Sequence, residues 1–132
     1  MALAIGTNSG FVATAPTVDP EGGATLVDSQ AWVTKDTSSA TATTITEIGW
    51  WLITASEEAN FEVGLYAADG TNGVAGTLLF SNTTNAKGTT GGVWKVVSGL
   101  NWSINSNTAY WLAVQLDDTV TTTQSDRALS LG

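Results

Sequence analysis

At 132 residues the chain has the length of one domain, and 42% apolar against 12% charged residues marks it as globular rather than disordered. Four basic against twelve acidic residues, a net charge of −8, argue against a protein that binds nucleic acid or an anionic membrane by neutralising phosphates. It has neither Cys nor His, which removes disulfides, thiolate nucleophiles, the usual zinc ligands and the commonest general base.

Residues 1–23 show little periodicity and close on Asp19-Pro20-Glu21-Gly22-Gly23, a turn. They read as an extended arm ahead of a domain covering 24–132, free to lie on its own domain or on a neighbour. The opening MALAIGTNSG has no basic stretch before its short apolar patch, unlike a secretory leader. No apolar run reaches the roughly 18 residues of a membrane span.

From residue 24 onward the chain reads as short strands separated by turns. The first strand is expected over 24–34 (ATLVDSQAWVT), with 35–42 a polar loop. The next covers 43–54, with Ile48, Trp50 and Leu52 on one parity and Trp51 and Ile53 on the other. A turn at 55–60 leads to 61–67, where Phe61, Val63 and Leu65 alternate with Glu62, Gly64 and Tyr66. ADGTNGVAG is a Gly-rich loop. Strands follow at 77–84 and 93–98, the latter continued loosely by Leu100, Trp102 and Ile104.

Residues 109–116, AYWLAVQL, form the clearest strand. Tyr110, Leu112, Val114 and Leu116 share one face, and Asn105-Ser106-Asn107 and Asp117-Asp118 bracket it with turn formers. Residues 126–131 add a possible last strand. Seven to eight short strands at this spacing, rich in Thr, Val, Ile and Trp, predict an all-β antiparallel sandwich.

The pieces ITEIGWWL, FEVGLYAADG, GTLLFS, VWKVVSGLNWSI and NTAYWLAVQLDD, in that order, are moderately specific as a set. From residue 45 to 118 the chain resembles jelly-roll β-sandwich domains of bacterial extracellular proteins and phage virion proteins, domains that look like carbohydrate-binding modules. The resemblance implies a jelly-roll-like fold and a non-catalytic role, with no catalytic motif to carry over. One departure is the short stretch after AYWLAVQL. The sandwich is then completed by the last strand, by the arm or by another subunit.

No nucleophile, phosphate-loop or metal motif occurs, and the acids at Glu57, Glu58, Glu62, Asp117 and Asp118 fall in or beside turns, so no catalytic residues and no enzyme are expected. ADGTNG loosely resembles the start of a calcium loop but lacks the later acidic ligands. Asp69, Asp117 and Asp118 are therefore the only calcium candidates, and solvated turns are the simpler expectation; no other metal or cofactor is implied.

The aromatic residues carry the most information. If Val63, Leu65, Leu112 and Val114 face the core, Tyr66 and Trp111 face outward, and Trp51 joins them if Trp50 is core. Covering one such ring is worth several kcal/mol at about 25 cal/mol per Å². The cover is the chain's own arm or loops, a subunit contact, or a stacked sugar ring with Asn101 or Gln115 beside it. Two roles follow. One is a virion structural protein, most concretely a phage capsid decoration or appendage protein, whose partners are copies of itself and a capsid or tail protein. It would be made in the host cytoplasm and reside in the virion. The other is an extracellular carbohydrate-binding module. Neither role involves nucleic acid or membrane.

Overall fold

The computed structural model describes residues 10–11, 24–27, 31–55, 60–84, 90–117 and 122–131. Its strands are β1 (Gly10–Phe11), β2 (Ala24–Val27), β3 (Ala31–Thr37), β4 (Thr44–Ala55), β5 (Asn60–Ala67), β6 (Leu78–Thr84), β7 (Val93–Ser103), β8 (Ala109–Asp117) and β9 (Thr122–Leu131). The only helical turn among the described residues is a 3-10 turn at Thr71–Gly73.

One sheet runs β1-β9-β4-β7, with β2 also on β9; the other runs β3-β8-β5-β6. All pairs are antiparallel except β1 with β9. Every connection from β2 to β9 crosses between the sheets, except the hairpin joining β5 to β6. That order is the double-sheet jelly roll. The expected all-β sandwich is what the chain forms.

The core lies between the two inner faces. Ile48, Trp50 and Leu52 come from β4, Phe61, Val63 and Leu65 from β5, and Tyr110, Leu112 and Val114 from β8, all buried as alternation requires. Trp50 meets Phe61 at 4.8 Å between ring centroids, and Phe80 stacks on Trp102 at 5.5 Å. Ile45, on the opposite parity from Ile48, is also buried, because the β4–β7 register shifts between Ile45 and Glu47. Gly99 supplies the matching irregularity on β7 with φ of 75°, so Val97, Leu100 and Trp102 all face inward despite their spacing.

Three sequence expectations need correction. The strand expected over 24–34 is two strands, β2 and β3, in different sheets. The strand expected at 93–98 and its loose continuation are one strand, with Gly99 absorbing the break in pattern. The last strand is not marginal: β9 begins at Thr122 and sits between β4 on one side and β1 and β2 on the other.

Most of the expected arm, 1–23, lies outside the described residues. Gly10 and Phe11 are described, and they dock on their own domain. They pair in parallel with Ser130 and Leu131 of β9. The Phe11 N–H donates to Asp36 Oδ2 of β3 at 2.8 Å, and its ring meets Tyr110 edge-on at 6.2 Å. Gly10 has φ of +86° and lies against the Asp36 carboxylate, where a Cβ would collide with it. This segment therefore ties one sheet to the other.

Candidate functional site

The outer face of the four-stranded sheet carries the candidate site. Register places its side chains in rows across the strands. Lys35, Trp111, Tyr66 and Leu78 form one row. Val33, Ala113, Gly64 and Ser81 form the next. Ala31, Gln115, Glu62 and Thr83 form the third. Large rings thus flank a row of small residues, with polar groups beyond it. The outcome is a shallow cleft of about 140 Å³, floored by Gly64 and Ala113 and edged by Tyr66, Leu78, Glu62 and Gln115.

Tyr66 and Trp111 both occupy this face, directly opposite one another on β5 and β8, as the alternation predicts. Each is half-buried. Trp111 is held by the chain itself. Its Nε1–H donates to the Gly73 carbonyl at 3.0 Å, and Lys35 Nζ sits 5.6 Å from its ring centroid while donating to the same carbonyl at 2.7 Å. A cation over an indole face is attractive, by about 0.5–1 kcal/mol where exposed. The Gly-rich loop thus supplies the cover that an outward Trp requires, one of the covers foreseen from sequence. Lys35 and Gly73 were not singled out from sequence. The available signal was the pair Asn72-Gly73, whose φ values of 59° and 72° mark the tight turn that such a pair favours.

Trp51 does not join them. It takes the face opposite Trp50, yet it is only 6% exposed. Its register partner on β7 is Trp94, whose indole lies over Gly49, so tightly that a Cβ there would overlap the ring. Glycine at 49 lets the outer face of the five-stranded sheet close over its aromatics, which leaves Trp51 no open ring for an interface or a sugar.

Asp69, a calcium candidate, has another task. Its Oδ1 accepts the Thr77 N–H at 2.8 Å and its Oδ2 accepts the Thr77 hydroxyl at 2.7 Å, closing the base of the loop that carries Gly73. The backbone and hydroxyl bonds from Thr77 hold its carboxyl below the usual value. Asp117 ends β8, and Asp118 lies outside the described residues. No group of three or more His, Cys, Asp or Glu residues is placed to hold a metal ion among the described residues. Glu62 lines the cleft and accepts the Thr83 hydroxyl at 3.0 Å. Glu57 and Glu58 lie outside the described residues.

No family model matches the chain, and no curated protein matches it. Among solved structures it is similar to a chain in "Structure of infectious bursal disease virus Gx strain", at 17% identity and a TM-score of 0.27. The match covers 92% of this chain and 34% of that one, so this chain spans about a third of the other's length. The assignment as a jelly-roll sandwich therefore rests on the strand order itself.

Proposed function

We propose that the chain is a non-enzymatic structural protein of a virion, a phage capsid decoration or appendage protein that acts by rigid assembly. One observation carries this reading. The eight-strand jelly roll is stitched shut by Gly10–Phe11, while three of the four large exposed apolar side chains among the described residues, Val33, Leu78 and Leu79, lie on the edge strands β3 and β6, and the fourth, Val74, lies in the loop before β6. A stiff body with apolar margins suits a part that is placed between neighbours. Jelly rolls serve as capsid and lectin domains alike, so the fold alone does not decide the role. The acidic surface keeps particles apart and repels DNA. The test is direct. In virus particles purified from cells that carry the coding sequence, the chain bands with the particles in a density gradient at a fixed ratio to the major capsid protein. A chain found only in the soluble fraction would contradict the reading.

The cleft favours a second reading, carbohydrate binding at the extracellular or virion surface. Tyr66 offers a ring, and Glu62 and Gln115 offer hydrogen-bonding groups across a floor without bulk. Titration with neutral oligosaccharides would then change Trp fluorescence in the wild type and not in Tyr66→Ala. An unchanged signal in both proteins would remove this reading.

A further inference from the structure

Taking the assembly reading as its basis, we infer that β6 is the surface through which two copies of this chain associate, by antiparallel edge-to-edge pairing of β6 with β6. A sheet edge presents unpaired N–H and C=O groups, and proteins blunt such edges with charge, brevity, bulges or cover. The other edges of this sandwich are blunted. β3 carries Lys35 and Asp36. β7 has Lys95 at the register position opposite the buried Trp50, which is an inward-directed charge on an edge. β2 is four residues long and is flanked in sequence by Glu21 and Asp28.

β6 differs. Its sequence is LLFSNTT, without charge or proline. Its one irregularity lies at the start, where the register with β5 shifts between Leu65 and Tyr66 and leaves Leu79 as the extra residue. From Phe80 to Thr84 the ladder with β5 is unbroken, and among the described residues no strand pairs with the other side of β6. Leu78 and Leu79, 49% and 40% exposed, stand at the end of this edge.

Charge selects a second copy as the occupant. Each chain carries −8, so two copies approach most readily along a strand that itself bears no charge, the neighbouring acids Glu62 and Asp69 being engaged by the hydroxyls of Thr83 and Thr77. The whole run 70–86 contains no charged residue, and β6 lies in it. Self-pairing of one strand about a twofold axis is isologous and closes at two, so it yields a defined pair rather than a fibre. The two four-stranded sheets would join into one continuous sheet, with the two clefts on the same side.

Sedimentation equilibrium of the full chain tests this, with Asn82→Lys and the control Thr41→Lys. Both positions are exposed, and both substitutions change the net charge equally, but Thr41 lies away from the edge. The expected result is a wild-type dimer, a Thr41→Lys dimer, and an Asn82→Lys chain that associates at least about tenfold more weakly because like charges meet across the twofold. Thermal unfolding under dissociating conditions should be unaltered in both variants. A wild-type monomer at high protein concentration would overturn the inference. So would an oligomer that Asn82→Lys leaves intact, which would move the contact elsewhere on the sandwich. Either result leaves the virion reading to be decided separately by the particle gradient.

Discussion

The two outer faces of this sandwich solve the same problem in opposite ways. Each carries tryptophan on the parity that points away from the core. On the five-stranded sheet, Trp51 is buried beside Trp94, whose indole fills the space above Gly49. On the four-stranded sheet, Trp111 is covered along one edge by a loop, and the space above Gly64 stays open. A Cβ at Gly64 would meet Phe80, Tyr66 and Leu78 at 3.5–3.6 Å, which is ordinary contact. Glycine thus has two meanings in two strands: at 49 it makes room for a ring, and at 64 it leaves a floor bare.

The largest expected effect lies beneath both faces. Trp50 is fully buried against Phe61, and its replacement by Ala should lower stability by about 3–5 kcal/mol in urea unfolding. The Trp50 Nε1 atom is buried with no hydrogen-bond partner among the described residues. Trp50→Phe removes that unsatisfied donor, so it should cost much less than Trp50→Ala.

The contrast between the glycines is sharpened by matched substitutions. Gly49→Ala drives a methyl into the Trp94 indole and should cost about 1–3 kcal/mol. Gly64→Ala should leave stability unchanged or raise it by up to about 1 kcal/mol, since the methyl has room and the unfolded chain loses freedom. Equal costs at the two positions would break the comparison.

A smaller effect belongs to Trp111. Trp111→Phe keeps the ring but loses the bond to the Gly73 carbonyl, at about 0.5–1.5 kcal/mol by the same urea measurement. The smallest is the loop latch. The Asp69 carboxyl is held below its usual value, so its contribution is present above that value and is lost as pH falls through the lowered one. Wild type and Asp69→Asn should therefore differ in Trp111 fluorescence at neutral pH and converge in strong acid. A difference that persists there would mean that Asp69 acts otherwise.

Much of this architecture is legible in the sequence, because buried alternation is a two-residue rule. Tyr110, Leu112 and Val114 on β8 and Phe61, Val63 and Leu65 on β5 read directly, and with them the outward pairing of Tyr66 and Trp111. The rule fails where register shifts. Ile45 and the pair Val97 and Leu100 break parity, and only the positive φ of Gly99 explains the latter. The partition of 24–34 between two sheets leaves no mark in hydrophobicity. The fate of Trp51 depends on Gly49 and Trp94, which are far apart in sequence and meet only once β4 and β7 are in register. The cleft emerges in the same way, from Gly64 and Ala113 on different strands.

Amide hydrogen exchange, compared at high and low protein concentration, tests most directly the claim that the four-stranded sheet meets partners while the other face is closed. New protection on association should be confined to residues 80–84 of β6, with β3 and β7 unchanged. Protection that arises instead along β7 opposite Trp51, or nowhere, would contradict it.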